Sequence, residues 1–142
     1  MKAYLGIGTN LGNRKANVDQ AIEMISKQAG HLLACSSYIE TAPWGFQSAN
    51  HFLNAVVSID THHTPHELLK ITQSIEREMG RTHKTVDGNY SDRIIDIDIL
   101  LYGEEVIHTP DLTIPHPLIL QRDFVYGPLF EIAPETRDFL IL

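Results

Sequence analysis

The sequence predicts an α+β fold in which one mostly antiparallel sheet carries two helices on one face. Three observations support this class. The predicted elements follow the order β-α-β-β-α-β, both helices have an apolar stripe at helical spacing, and short elements follow the last strand. This order is that of the split βαβ, or ferredoxin-like, arrangement. At 142 residues, we expect a single domain over 1–142, with additional C-terminal edge elements.

The first part of the chain supplies a strand, a helix and a second strand. Residues 2–8 form a strand-like run, and a turn over 8–13 follows it. Apolar residues at helical spacing predict a helix over 14–29. Gly30 fits the end of this helix as a left-handed residue, and residues 31–40 indicate one continuous strand.

The next part contains the clearest helix start in the chain. A loop over 41–50 is long enough to suggest function, and residues 51–60 form a third strand. Thr64 is a helix cap, Pro65 suits the first helical position, and Glu67 completes a capping box. The sequence therefore predicts a helix that begins here.

That helix stops at Gly80, and a polar loop over 81–92 leads to the last strand of the β-α-β-β-α-β order. We expect this strand to be interior in the sheet. A hairpin over 106–114 and an irregular, proline-rich tail with short helical pieces complete the chain.

Composition and charge exclude several classes of protein. The net charge of −7 argues against a nucleic-acid binder, and no apolar run is long enough to span a membrane. Cys35 is the only cysteine, so no internal disulfide is possible. We expect no signal peptide, because Met1 and Lys2 lead directly into the first strand-like run. We expect a cytoplasmic protein that acts on small molecules and is a monomer.

Asp96 and Asp98 are the most informative residues. Because side chains alternate along a strand, both carboxylates should point to one face. Two adjacent carboxylates repel each other unless a cation lies between them, and Mg²⁺ prefers such oxygen ligands. An edge strand with a solvated acidic face is an equally good interpretation of the strand alone. The opposite face is apolar and consists of Ile95, Ile97, Ile99 and Leu101.

Basic residues cluster near these carboxylates in the sequence. The grouping suits a polyphosphate, because arginine offers planar, two-point contacts to phosphate. Each of them could instead form a surface ion pair. The residues are Arg81, His83, Lys84, Arg93 and Arg122.

Common nucleotide and metal motifs are absent. There is no Walker A pattern, and the spacing of Gly6, Gly8 and Gly12 does not match a dinucleotide fingerprint, so we interpret them as turn and packing residues. The tract containing His62, His63 and His66 could bind metal, but a solvated turn explains it better.

A second group of residues suggests a pocket for a flat ring. The loop before the third strand contains Trp44 beside other large apolar residues, and such residues are costly to expose together. Phe52 and Asn54 should share a strand face, which would offer a stacking surface and an amide edge. Phe124 is a possible second stacking face. Phe52 in the core and Asn54 bonded to a loop carbonyl is the plainer alternative.

His116 lies between two prolines, which hold the backbone extended. A histidine held in this way is either a phosphate donor or a packed structural residue. The sequence leaves both interpretations open.

Taken together, these motifs resemble one known family. The segments that carry the resemblance include Glu40 to Gly45, Phe52 to Ala55, Arg93 to Leu100 and Ile114 to Pro117. In this order along nearly the whole chain, they resemble the 6-hydroxymethyl-7,8-dihydropterin pyrophosphokinases of folate biosynthesis. The resemblance implies transfer of pyrophosphate from ATP to the hydroxymethyl pterin, with AMP as the second product.

The resemblance also implies roles for individual residues. Asp96 and Asp98 would hold two Mg²⁺ ions, and they would be catalytic together with Arg81 and Arg93. The ATP site would consist of Gln73, Glu76, Arg81, His83, Tyr90, Arg93, Ile99, Thr113, His116 and Arg122. The pterin site would consist of Thr41, Ala42, Trp44, Phe52, Asn54, Asp96 and Phe124.

The chain departs from the family pattern in the loop before the aspartate strand. His83 stands where an arginine is frequent, and Tyr90 stands near the place of a frequent tryptophan. Two rival interpretations stay open: a two-carboxylate metal hydrolase that acts on a phosphoester, and a non-catalytic ligand-binding module of ferredoxin-like fold.

Overall fold

A computed structural model describes residues 1–42, 51–80 and 94–141. The strands are β1 (Lys2–Thr9), β2 (His31–Cys35), β3 (Ile39–Thr41), β4 (Phe52–Asp60), β5 (Asp96–Tyr102), β6 (Ile107–His108) and β7 (Thr113–Ile114). The α-helices are α1 (Arg14–Gln28), α2 (Pro65–Glu78), α3 (Asp123–Ile132) and α4 (Thr136–Ile141). A 3₁₀ turn spans Ile119–Gln121. No helix in these ranges is long and apolar enough to cross a membrane.

The main sheet has five strands in the order β2-β4-β1-β5, and β3 pairs with the first half of β4. Every pairing in it is antiparallel, as predicted. The aspartate strand β5 pairs with β1 at the end of this order, so the expectation of an interior strand was wrong. The predicted hairpin is present as the separate pair β6 and β7.

The strand predicted over 31–40 is two strands, because Ser36 interrupts it. The Ser36 side-chain hydroxyl accepts the backbone N–H of Val56 at 2.9 Å, in addition to the bond from the Ser36 N–H to the Val56 carbonyl. The same hydroxyl donates to the Ser37 carbonyl at 2.8 Å. A side chain thus takes the place of backbone in the ladder, and the chain is redirected into β3.

Helices α1 and α2 pack on one face of the sheet, as predicted. Val18 and Ile25 of α1 and Leu68 and Ile75 of α2 are fully buried against the strands. The capping box at Thr64 is confirmed: its side chain accepts the Glu67 N–H at 3.2 Å, and the Glu67 carboxylate accepts the Thr64 N–H at 2.8 Å.

Gly30 does not have the predicted left-handed conformation, since positive φ occurs in the described glycines at Gly12, Gly80 and Gly103. A Cβ on Gly30 would lie 2.4 Å from the Asp60 carbonyl oxygen. Glycine is therefore needed here because the end of α1 approaches the end of β4 too closely for any side chain.

The tail contains the predicted short helical pieces, but they form a layer on the other face of the sheet, which the prediction of an irregular tail did not include. Leu129 and Ala133 pack with Tyr4 and Val56 in a second buried cluster. Pro128 lies inside α3, so the prolines of the tail concealed a helix of ten residues.

A β-bulge in β5 places two consecutive leucines on the same face of the sheet. The register against β1 shifts between Tyr4 and Leu5, so that Leu100 is left without a paired residue. Ile99 lies in the core under α1 and α2, whereas both Leu100 and Leu101 lie in the cluster under α3. The predicted place of Leu101 on the isoleucine face was therefore wrong.

Candidate active site

A cleft of about 390 Å³ lies against the sheet, where it is lined by residues of β1, β4 and β5. Asp96 and Asp98 are partly buried and line it, so the predicted shared face is confirmed. Gly8 pairs with Asp96 and Gly6 pairs with Asp98. Residues paired across strands point to the same side of a sheet, so each carboxylate lies beside a strand position that has no side chain.

These two glycines are site residues that sequence reasoning missed. They were interpreted as turn and packing residues, but both lie within β1 and line the cleft. A Cβ on Gly8 would lie 3.2 Å from Asn54 Oδ1 and 3.6 Å from Phe52 Cδ1. Glycine repeated two residues apart in a strand was the available signal, because it marks a close approach on one face.

Helix α2 supplies the wall beside the carboxylates. Gln73 and Glu76 both line the cleft. Glu76 Oε2 accepts the backbone N–H of Ile97 at 2.8 Å, and Ile97 is the residue between the two aspartates. The helix is thereby bonded to the strand at the place where the strand carries its acidic pair.

The predicted ring pocket lies at the other end of the cleft. Thr41 pairs with Phe52 across β3 and β4, and both line the cleft with Ala42 and Asn54. Asn54 is 6% exposed, and its Nδ2 donates to the Ile39 carbonyl at 3.2 Å. That bond orients the amide, which keeps a second N–H and the Oδ1 acceptor for a ring edge.

The start of α3 forms the roof of this pocket. Phe124 and Arg122 line the cleft, and the Arg122 Cζ lies 5.9 Å from the centre of the Phe124 ring. The arginine thus adds positive charge next to an aromatic face, in an arrangement typical of cation–π contact.

His116 enters the cleft from the segment after β7. The Ile114–Pro115 peptide is cis, and the His116 N–H donates to the Leu100 carbonyl at 2.9 Å. The Leu118 N–H donates to His116 Nδ1 at 3.2 Å, so the neutral ring carries its proton on Nε2. Burial lowers the pKa of His116, nearby Arg122 lowers it further, and Asp96 opposes this.

The structure brings eleven of the predicted site residues together around the cleft. Two others lie elsewhere: the Ile99 side chain is 4% exposed in the core, and Thr113 lies on β7 outside the described lining. Their nucleotide contacts stay predictions. Arg81, His83, Tyr90, Arg93 and Trp44 lie outside the described residues.

The donor set fits magnesium bound together with a phosphate. In the described part of the chain, no three His, Cys, Asp or Glu side chains are arranged to hold a metal. The tract with His62, His63 and His66 is part of that region, so it does not form such a group. His66 Nε2 instead contacts Thr109 Oγ1 and Asp111 Oδ1, each at 3.2 Å. Mg²⁺ is commonly held by one or two carboxylates plus substrate phosphates, and Asp96 with Asp98 matches that pattern.

Paired carboxylates, an arginine and a ring-sized aromatic pocket fit a class of enzyme, a transferase that moves a phosphate-containing group from a nucleotide to a cyclic substrate. Comparison of the chain with known proteins specifies the family. A family model described as 7,8-dihydro-6-hydroxymethylpterin-pyrophosphokinase (HPPK) matches residues 4–134. The chain belongs to this family, and its activity is that of a pyrophosphokinase of folate biosynthesis.

Curated relatives carry the corresponding enzyme name. The 2-amino-4-hydroxy-6-hydroxymethyldihydropteridine pyrophosphokinase of Porphyromonas gingivalis is 49% identical over 132 residues, which are 92% of this chain and 90% of that protein. The Bacillus subtilis protein of the same name is 40% identical over 136 residues, which are 95% of this chain and 80% of that protein.

Solved structures share the fold. A crystal structure of HPPK-DHPS in complex with substrates matches with a TM-score of 0.74 and 16% identity over 94% of this chain. A Plasmodium falciparum HPPK-DHPS matches with a TM-score of 0.75, also at 16% identity over 94% of this chain. This chain spans about two fifths of the length of those chains, 40% in both cases.

Proposed function

We propose that this cleft transfers pyrophosphate from ATP to the hydroxymethyl group of 6-hydroxymethyl-7,8-dihydropterin, giving AMP and the pterin pyrophosphate. The observation that carries the proposal is the row of paired residues across the sheet. Asp96 of β5 lies opposite Gly8 of β1, which lies opposite Asn54 of β4. A carboxylate for the phosphate end and an amide for the ring end are thus separated by bare backbone.

The acidic pair would hold two Mg²⁺ ions beside the triphosphate. Asp96 and Asp98 would supply the oxygen ligands, and Glu76 holds the strand that carries them through its bond to Ile97. The bound ions would supply charge neutralisation during the transfer. In the transfer, the pterin hydroxyl oxygen bonds the β-phosphorus and releases its proton to solvent, and the bond from the β-phosphorus to the oxygen of AMP breaks.

The ring pocket orients the pterin for this attack. Phe52 and Phe124 stack on its two faces, Asn54 binds its polar edge, and Thr41 and Ala42 close the side of the pocket. All five line the same cleft. Holding both substrates in reacting geometry supplies much of the rate, because little covalent chemistry is required of the protein.

Cationic and polar groups bind the nucleotide. His116 donates from Nε2 to a phosphate oxygen, Arg122 adds charge beside it, and Gln73 contacts the nucleotide from α2. We also assign nucleotide contacts to Arg81, His83, Tyr90, Arg93, Ile99 and Thr113, and a pterin contact to Trp44.

Several broader properties belong to the same proposal. The strand order β2-β4-β1-β5 with α1 and α2 on one face supports the ferredoxin-like topology. We propose that residues 1–142 form one pyrophosphokinase domain that acts as a monomer in the cytoplasm.

One assay separates this function from its rivals. The protein is incubated with ATP, Mg²⁺ and the hydroxymethyl dihydropterin, and the nucleotide products are resolved by chromatography. AMP that forms only when the pterin is present supports the proposal. ADP or free phosphate would indicate a phosphoester hydrolase, and no product would indicate a binding module.

A further inference from the structure

Arg14 joins the two chain segments that form the side of the ring pocket. Its Nη1 donates to Glu40 Oε1 at 2.7 Å and to the backbone carbonyl of His51 at 2.9 Å. Glu40 immediately precedes Thr41 in β3, and His51 immediately precedes Phe52 in β4. One nitrogen atom therefore contacts the residues that adjoin both members of the Thr41–Phe52 pair.

The position of Arg14 is itself fixed by the turn before α1. Asn13 caps the helix by accepting the Ala16 N–H at 3.1 Å. Asn17 Nδ2 donates to the Leu11 carbonyl at 2.8 Å and lies 3.3 Å from Thr9 Oγ1. Because these bonds tie the start of α1 to the end of β1, Arg14 projects from a rigid base.

The contact differs from an ordinary surface ion pair. The Arg14 side chain is 34% exposed, and one of its two acceptors is a backbone carbonyl. The hydrogen bond and charge of Arg14 also lower the pKa of Glu40. Lys15, the next residue, forms an ordinary surface ion pair. Its Nζ lies 3.0 Å from the carboxylate of Asp19, one turn further along the helix, and both side chains are exposed.

We propose that Arg14 is a positioning residue for pterin binding, which it serves by holding Thr41 and Phe52 at the spacing that the ring requires. This inference rests on the proposed function, because it assumes that the pterin occupies this pocket. Arg14 is not among the described residues that line the cleft, so it would act on the pterin through the residues that it holds. Its loss should therefore affect pterin binding and leave ATP binding unchanged.

The test compares Arg14→Ala and Arg14→Lys with Lys15→Ala, which removes a neighbouring ion pair from the same helix. Pterin affinity is measured by isothermal titration calorimetry, and KM for each substrate is measured separately. We expect Arg14→Ala to raise the pterin Kd and KM by about three- to ten-fold, with the KM for ATP within about two-fold of wild type. Arg14→Lys should recover part of the loss, because an ammonium group can still donate to an acceptor but lacks the planar fork.

Two results would overturn the inference. One is a pterin Kd for Arg14→Ala equal to that of Lys15→Ala, and the other is an equal rise in both KM values, which would indicate a general loss of structure. If Arg14→Ala does not fold, Arg14→Lys decides alone by the same comparison. Failure of the wild-type protein to bind the pterin would instead refute the proposed function.

Discussion

The Glu76 carboxylate accepts the backbone N–H of Ile97, the residue that separates Asp96 from Asp98. Strand β5 lies at the end of the strand order, so this N–H has no neighbouring strand to bond on that side in the described sheet. A side chain of α2 takes the role of that strand. The acidic pair is therefore held on two sides, by β1 through the ladder and by Glu76 through one bond of 2.8 Å.

This relationship predicts different outcomes for two substitutions at Glu76. Glu76→Gln keeps an oxygen that can accept the Ile97 N–H, whereas Glu76→Ala leaves that N–H without this acceptor. We expect Glu76→Ala to lower kcat about ten-fold and to raise the Mg²⁺ concentration needed for half-maximal rate. Glu76→Gln should stay closer to wild type. Equal losses in both variants would show that the charge matters rather than the bond.

Loss of one carboxylate should stop turnover without emptying the ring pocket. Asp96→Ala and Asp98→Ala are each expected to reduce kcat by about 100-fold or more, since a preorganised charge is lost at the reacting phosphates. For Asp98→Ala, pterin binding without nucleotide should change little by calorimetry. Asp138→Ala removes an exposed acid of α4 and serves as the control. Full activity in either cleft variant would refute the assigned role.

The glycine beside Asp96 should be intolerant of a side chain. In Gly8→Ala the new Cβ lies 3.2 Å from Asn54 Oδ1, so the amide must shift. We expect about a three- to ten-fold rise in pterin KM, because one displaced hydrogen bond is at stake. Gly127→Ala is the control, since nothing lies within 4 Å of its Cβ position. That change should leave KM unaltered and stabilise α3 by about 0.5–1 kcal/mol in urea unfolding. An unchanged KM in Gly8→Ala would place the ring elsewhere.

His116 should make stability depend on pH in the acidic range. Its folded-state pKa lies below the ordinary value of 6.5, mainly because burial disfavours the charged ring. As pH falls below about 6.5, the unfolded chain binds a proton that the folded chain resists, so the free energy of unfolding decreases. The decrease ends once pH passes the lowered folded-state pKa.

Urea unfolding between pH 5 and pH 8 measures this effect. His116→Gln should flatten the acidic slope relative to wild type, whereas His108→Gln, at an exposed position on β6, should keep it. An identical slope in wild type and His116→Gln would assign the pH dependence to other groups.

Features that depend on neighbouring residues were predictable from the sequence. The start of α2 follows from Thr64, Pro65 and Glu67, because a capping box is complete within four residues. The shared face of Asp96 and Asp98 follows from strand periodicity alone. Both were confirmed by the structure.

Features that depend on distant contacts were not predictable. The break at Ser36 requires the partner Val56, and the need for Gly30 arises from a carbonyl of Asp60, thirty residues away. The helix α3 is stabilised by a sheet face that no local pattern reveals. For the same reason, the cleft role of Gly6 and Gly8 became clear only when the paired strands were known.

The bulge at Leu100 divides β5 into two functional halves. Asp96 and Asp98 precede it, and the leucines that support α3 come directly at and after it. Deleting Leu100 would restore strict alternation, with Leu101 still facing α3 but only one leucine of the pair left beneath that helix. Since α3 carries Phe124 and Leu100 itself lines the cleft, a change in the length of β5 at this point would weaken the support beneath one wall of the ring pocket.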